Sequence, residues 1–213
     1  DFFEMPEVVL IPADANASSV SLDGSGASAQ VALGSAVEDA DGSRQASLML
    51  PSGTKARVIL ADGSEQDLNT ASLRITEYTQ GEQGPARLPA RMPANIAYTY
   101  AVELGLDEAP EGAQVVFDEP VVFHVDNFLE FPTGTTAPLG YYDSERAVWV
   151  PAQSGRVISV VGEDQGLAAL DSDGDGSADD ATQLAELGIT DEELGALAER
   201  FDTGDSFIRV RLE

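Results

Sequence analysis

The sequence predicts a mainly β protein, a β-sandwich that ends in a short helical pair. The first observation is that most of the 213 residues fall into short segments rich in β-branched and aromatic residues, bounded by Gly, Pro, Asp or Ser. These segments include SSVSL, AQVAL, QASLMLP, ARVILA, SLRITEYT, APLGYYD, AVWVP and GRVISVV. The second observation is that the hydrophobic period lengthens from two to helical spacing after Gly166. An open barrel is the alternative to the sandwich.

Alternation along the segments indicates strands with two different faces. Val122, His124 and Asp126 alternate with Phe123 and Val125. We therefore expect one face of such a strand to enter the core and the other to face water.

Leucines and a phenylalanine recur at helical spacing near the C-terminus. They are Leu184, Leu187, Leu194, Leu197 and Phe201. Thr190, followed three residues later by Glu193, has the signature of a capping box. We expect two short helices joined at Gly188, and the alternating tail 207–213 is expected to return to a sheet.

These patterns divide the chain after residue 12 into two parts. Residues 13–166 form the β-sandwich region. Residues 167–213 contain an Asp-rich loop, the two helices and the returning strand.

The charge balance excludes several classes of partner. Asp and Glu number 38 against 11 Lys and Arg, a formal net charge of -27. Such a chain repels nucleic acid phosphates and anionic lipid, so we expect neither nucleic acid binding nor membrane insertion. The apolar runs are also far shorter than the roughly 20 residues that span a bilayer. The same charge favours bound cations.

The segment DSDGDGSADD, residues 171–180, is the candidate metal loop. Calcium binds six to eight oxygen ligands, and a D-x-D-x-D-G run supplies them around a tight bend, here at Gly176. The candidate ligands are Asp171, Asp173, Asp175, Ser177 through its carbonyl, Asp179 and Asp180. Thr182 stands at the twelfth position instead of a bidentate glutamate, so the loop resembles dockerin-like or thrombospondin-type calcium loops more than a full EF-hand. The alternative is a solvated acidic turn before a helix.

The inventory of catalytic groups is small. The chain has no cysteine and one histidine, so thiol chemistry is excluded and a serine triad is possible only around His124, which we expect to be structural or exposed. No enzymatic motif is present, and we expect a non-enzymatic protein. A carbohydrate-binding or adhesive module is an alternative that requires exposed, coplanar rings among Phe131, Tyr141, Tyr142 and Trp149. A glycoside hydrolase fragment requires an acid pair in a cleft.

A family resemblance covers nearly the whole chain. It is carried, in order, by SRQASLMLPSGT, LRITEYT, MPANIAYTYAVEL, FDEPVVFHVDNFLEFPTGTTAPLGYYDSERAVWVPAQSGRVISVV and LDSDGDGSADDATQLAELGIT. These strings resemble the segment that precedes the repeats in large bacterial RHS/YD-repeat, teneurin-like proteins. Residues 45–130 also resemble the ZU-type β-sandwich.

The resemblance implies a non-enzymatic module of a secreted or bacterial surface protein, located outside the cell. It implies that the module docks against neighbouring domains of the same polypeptide, the repeat shell. It also implies that residues 1–12, which contain VVLIP, are the closing strand of a preceding domain. It supplies no catalytic residues, and only the aspartate loop, with Ca²⁺ as cofactor, transfers as a site. Open sheet edges make self-association a further possible mode of assembly.

Overall fold

The computed structural model describes residues 9–81, 84–90, 92, 99–110 and 112–212, without the Pro85 side chain. Strands in the N-terminal half are β1 (Ser18–Ser21), β2 (Gln30–Leu33), β3 (Val37–Asp39), β4 (Gly42–Arg44), β5 (Ala46–Leu50), β6 (Ala56–Ile59), β7 (Glu65–Leu68), β8 (Thr70–Glu77) and β9 (Val102–Leu106). They are followed by β10 (Gln114–Phe117), β11 (Val121–Asp126), β12 (Thr136–Asp143), β13 (Val148–Asp164), β14 (Leu167–Asp171) and β15 (Ser206–Leu212). The helices are α1 (Gly84–Arg87), α2 (Ala181–Glu186) and α3 (Asp191–Arg200).

One large antiparallel sheet organises the molecule. Its strand order is β12-β13-β15-β11-β5-β2, with β14 pairing to the second half of β13. We call it the main sheet. Two smaller sheets, β1-β8-β9 and β10-β6-β7, complete the sandwich, and β3 and β4 form a hairpin. The predicted mainly β fold with two short C-terminal helices is therefore confirmed.

The sandwich core lies between the main sheet and the two smaller sheets. Apolar side chains from both layers are buried there, among them Leu48, Leu73, Ile75, Phe123 and Ile208. Because neighbouring strands present every second residue to this layer, the alternation read from the sequence positions the core residues correctly.

The other face of the main sheet is also buried, which corrects the expectation that it would face water. Helix α3 packs against this face, and a second cluster of apolar side chains fills the contact. We call it the helical core; it includes Ile158, Leu170, Leu194, Leu197 and Phe207. Val157 points to one core and Ile158 to the other, so the centre of β13 is covered on both sides.

A buried ionic cluster joins the helices to the main sheet. Glu193 on α3 is 1% exposed, and its carboxylate accepts two hydrogen bonds from Arg209 on β15, at 2.6 and 2.8 Å. Nε2 of His124 on β11 lies 2.9 Å from the same carboxylate, and His124 and Arg209 are directly paired across their strands. Arg209 also donates to the carbonyls of Leu187 and Gly188, which follow α2. One cluster therefore holds both helices and two strands in register.

The helix starts differ in part from the prediction. Thr190 caps α3 by accepting a hydrogen bond from the Glu193 N–H, but the Glu193 side chain turns inward to Arg209 and does not close the capping box. The complete capping box is at α2, where Asp180 and Gln183 exchange both hydrogen bonds. The two helices meet at Gly188, with φ +65°, as expected.

The three predicted parts of the chain differ in how far the structure describes them. Residues 1–8 of the predicted closing strand lie outside the described residues, and residues 9–12 form no strand. In the C-terminal part, β14 and β15 belong to the main sheet, and β15 lies between β11 and β13. Among the described residues, none of the helices combines the length and apolar character needed to cross a membrane.

Replacing Glu193 with glutamine should destabilise the protein strongly. The Glu193→Gln change leaves the buried Arg209 guanidinium without its countercharge, and breaking a buried ion pair on one side costs about 3–5 kcal/mol. Chemical unfolding in urea measures the difference. Glu199→Gln is the matched control, because Glu199 is on the exposed side of the same helix and should change stability by less than about 0.5 kcal/mol. Equal effects of the two changes would contradict the role assigned to the cluster.

The same cluster predicts a dependence of stability on pH. Burial lowers the pKa of His124, although the hydrogen bond to Glu193 opposes the shift. Burial would raise the pKa of Glu193, but hydrogen bonds from Arg209 and His124 outweigh burial and lower it. Since His124 is neutral when folded, protonation favours the unfolded chain as pH falls below about 6.5, the ordinary histidine value. The contribution of Glu193 is lost only at lower pH, as its own folded pKa is passed.

We therefore expect His124→Gln to remove part of the stability loss between pH 7.5 and pH 5. Titration of one buried histidine reduces the unfolding free energy by at most about 1.4 kcal/mol per pH unit. The glutamine amide can still donate to Glu193 without titrating. Urea unfolding of both proteins across this range gives the difference, and identical pH profiles would show that His124 does not contribute.

Candidate metal centre

The aspartate loop, residues 171–180, connects the end of β14 to the start of α2. Its two ends are joined by hydrogen bonds: Asp179 N–H donates to the Leu170 carbonyl at 2.7 Å, and Ser172 N–H donates to Asp179 Oδ2 at 3.0 Å. Arg156 on β13 also donates to the Ser172 carbonyl at 3.2 Å. The loop is therefore closed at its base and anchored to the main sheet.

Asp171 organises the interior of the loop. Its side chain is buried, and its two oxygens accept hydrogen bonds from the N–H groups of Asp173, Gly174 and Gly176. The glycines at 174 and 176 have φ of +83° and +82°, a conformation that glycine adopts without steric cost. A carboxylate has about four acceptor positions, so Asp171 retains capacity for a further ligand.

Three carboxylates of the loop converge. Asp171, Asp173 and Asp179 each offer an oxygen, and these oxygens lie within 4.8 Å of one another. Asp171 is buried, Asp179 is half-buried and Asp173 is exposed, so the group opens to solvent on one side. Ligands on opposite sides of a calcium ion are about 4.6–5.2 Å apart, given its usual bond lengths of about 2.3–2.6 Å. The cluster could therefore hold a metal ion.

The other three predicted ligands have different surroundings. Asp175 accepts a hydrogen bond from Ser177 N–H at 2.7 Å, and neither Asp175 nor Asp180 belongs to the converging group. Asp180 caps α2 by accepting from the N–H groups of Thr182 and Gln183, and these bonds lower its pKa. Asp180 therefore lies at the N-terminal end of a helix, as the alternative of an acidic turn before a helix expects.

A turn from a distant part of the chain packs against the loop. Gly134, with φ +82°, approaches Asp173 so closely that an added Cβ would lie 2.7 Å from the Asp173 carbonyl oxygen. Gly174 makes the reciprocal approach, since its Cβ would lie 2.8 Å from the Thr133 carbonyl oxygen. The contact of Thr133 with Ser159, 2.5 Å between hydroxyl oxygens, fixes the turn on β13. The sequence does not predict this contact, because no local pattern connects Gly134 with Asp173 or Thr133 with Gly174, which are far apart along the chain.

The other candidate side chains are positioned away from the aspartate loop. Tyr142 and Trp149 face each other across the β12–β13 hairpin at 5.4 Å, but their rings are tilted by 56°. Tyr141 alternates to the opposite face of the ribbon and is exposed, while Phe131 packs against the sandwich core. These rings do not make the coplanar surface that the carbohydrate-binding alternative requires.

Comparison with known proteins found no family model, curated protein or solved structure that matches this chain. The assignment of the site therefore depends on its geometry.

Replacing Gly134 with alanine should disturb the aspartate loop. Gly134→Ala places a methyl group against the Asp173 carbonyl, whereas Gly166→Ala meets nothing within 4 Å at the same φ of +82°. Both changes incur the left-handed strain of about 1–2 kcal/mol, and the steric overlap should add about 1–3 kcal/mol for Gly134 alone. Urea unfolding of the two variants isolates the contact, and equal losses of stability would show that the turn does not press on the loop.

Proposed function

We propose that this chain is a non-enzymatic, calcium-stabilised structural or docking module of a larger secreted or surface protein. The observation that carries the proposal is the convergence of Asp171, Asp173 and Asp179 within 4.8 Å, at the junction of the main sheet with the helical pair. A cation there would offset the repulsion of three carboxylates and hold the start of α2 against the end of β14.

The chemistry of the donors favours calcium over other common ions. All three groups are carboxylates, and hard oxygen ligands suit Ca²⁺ and Mg²⁺ better than zinc or copper. Magnesium requires a nearly ideal octahedron at about 2.0–2.1 Å, whereas calcium accepts an irregular shell. Water and the remaining loop oxygens, including those of Asp175 and the Ser177 carbonyl, are the groups available to complete such a shell.

The surroundings of the single histidine support a non-enzymatic role. His124 on β11 lies opposite Ser47 on β5, and Glu193 contacts the same imidazole, a combination of residue types found in hydrolases. However, Ser47, His124 and Glu193 are all buried where α3 packs on the main sheet, so a substrate carbonyl has no access to them. The arrangement acts as a structural link between layers.

The extracellular, multidomain context of the proposal comes from the sequence. The resemblance to the pre-repeat segment of RHS/YD-repeat proteins predicts neighbouring domains, and the net charge of -27 suits a medium that contains divalent cations. A loop with three converging carboxylates, open on one side, should bind calcium with the affinity of extracellular modules, a Kd of about 10⁻⁴–10⁻³ M.

Calcium should therefore raise the melting temperature of the protein. With about 10 mM free calcium, this affinity stabilises the folded state by about 1.4–2.7 kcal/mol, a rise of roughly 3–10 °C for a chain of this size. Asp173→Asn should remove most of the rise. Asp164→Asn is the charge control, because Asp164 is an exposed residue at the β13–β14 turn and should leave the rise unchanged. Thermal unfolding by circular dichroism, with calcium, magnesium or chelator, measures all three proteins.

Identical melting of the wild-type protein in calcium and chelator would contradict the proposal. An equal rise with magnesium would show a general cation effect rather than a calcium site. If Asp164→Asn reduced the rise as much as Asp173→Asn, calcium would be acting on the overall charge of the chain.

A further inference from the structure

A groove on the sandwich side of the molecule extends to the edge of the sandwich core. It has a volume of about 290 Å³, and the edge strands β9 and β10 both line it. Leu48, Leu73 and Val121, which also line it, are among the buried residues of the sandwich core. Since β9 and β10 follow each other along the chain but belong to different sheets, the groove marks a gap between those sheets.

Leu104 lies on the core side of β9, but the described residues cover it only in part. It pairs with Ile75 across β8 and β9, and directly opposite residues point to the same side of a sheet. Ile75 is 2% exposed and belongs to the sandwich core, whereas Leu104 is 40% exposed. An apolar side chain on the core side of a strand is therefore open to solvent.

The main-chain groups along the groove also lack partners in the sheets. Asp107 N–H donates to the Ser72 carbonyl, and Tyr78 N–H donates to the Ala101 carbonyl. The main-chain groups of the odd-numbered residues of β9 therefore point toward β8, and the N–H and C=O of Leu104 point away from it. On β10, Asp118 N–H donates to Lys55, so the groups of Val115 and Phe117 face away from β6. Within the described ranges, no strand pairs with these edges of β9 and β10.

The charges around the groove define what it can accept. None of the described residues that line it is charged, although 23% of the chain consists of charged residues. Two exposed acidic residues, Asp118 and Glu119, follow β10. Glu103 and Asp107 lie on the face of β9 opposite Leu104, where Glu103 accepts a hydrogen bond from Tyr78 and Asp107 pairs with Arg74. Arg211 belongs to the lining strand β15 but lies close to Gly188 on the helical side of the main sheet.

We propose that this groove binds an extended apolar segment of a partner protein, flanked by lysine or arginine, as an added β-strand. Unpaired N–H and C=O groups select an extended backbone, and the exposed Leu104 with its uncharged surroundings selects apolar side chains. The acidic residues that follow β10 and the net charge of -27 select basic flanks. A second copy of this chain is disfavoured as occupant, since each copy carries a net charge of -27. The inference rests on the docking role proposed above and identifies its surface.

A fluorescein-labelled peptide, Lys-Lys-Val-Thr-Val-Thr-Val-Lys-Lys, is the probe, and fluorescence anisotropy measures its binding. Two control peptides have the same apolar centre: one has glutamate flanks, and the other is N-methylated at alternate residues, which removes main-chain donors. We expect the lysine-flanked peptide to bind at least tenfold more tightly than either control. Equal binding of the N-methylated peptide would overturn strand addition, and equal binding of the glutamate peptide would overturn the charge argument.

Leu104→Glu tests the location of the site. It should weaken binding of the lysine-flanked peptide at least tenfold, whereas Val31→Glu, at an equally exposed valine of β2, should leave binding unchanged. Near-ultraviolet circular dichroism shows whether each variant is folded, and Leu104→Thr replaces Leu104→Glu if the latter is not. Equal binding by the wild-type and folded Leu104 variants would overturn the assignment of the groove.

The titration is repeated in calcium and in chelator, together with sedimentation velocity of the protein alone. Absence of peptide binding by a protein that calcium still stabilises would remove the groove proposal and leave the calcium module intact. If the peptide binds but calcium does not stabilise the protein, the groove proposal stands and the proposal of a calcium-stabilised module is overturned. A dimer that Leu104→Glu dissociates would identify a second copy as the occupant and overturn the partner assignment.

Discussion

The burial of Glu193 between Arg209 and His124 is the interaction on which the C-terminal half of the molecule depends. A carboxylate removed from water is tolerable only when charge and hydrogen bonds replace its hydration, and Arg209 provides both. Because Arg209 also binds the carbonyls that follow α2, the same guanidinium sets the positions of both helices. Burial of the apolar side chains in the helical core stabilises the packing of the helices on the main sheet. The hydrogen bonds of the ionic cluster set the position of the helices in that contact.

Two other arginines of this acidic chain have comparable roles at junctions. Arg44 is buried, pairs with Asp39 and Glu77, and thereby joins the β3–β4 hairpin to β8. Arg200 reaches from α3 to Asp126 at the end of β11. With only 11 basic residues against 38 acidic ones, these cations lie between layers and leave much of the excess negative charge exposed. The surface that results favours cations and basic partners.

Local patterns predict local structure here, and long-range pairing explains the rest. Alternation and capping residues predict most of the strands and both C-terminal helices. AVWVP and GRVISVV merge into one strand, β13, and Pro151 is tolerated because that half of β13 pairs with β12 alone. The candidate ligands read from the aspartate run include the three whose carboxylates converge, Asp171, Asp173 and Asp179. No short stretch of the sequence predicts the contact of Gly134 with the aspartate loop or the packing of α3 over His124, because both join residues far apart along the chain.

The positions of the two proposed sites argue for a static role of the metal. The groove opens on the sandwich side of the main sheet, where Leu48 and Val121 belong to the sandwich core. The aspartate loop follows β14, whose Leu170 belongs to the helical core on the opposite face. The centre of the sheet is packed on both faces, and a closely packed interior does not deform continuously. A cation at the loop would therefore fix the helical pair, while the groove retains the shape that the sandwich gives it, whether or not the cation is bound.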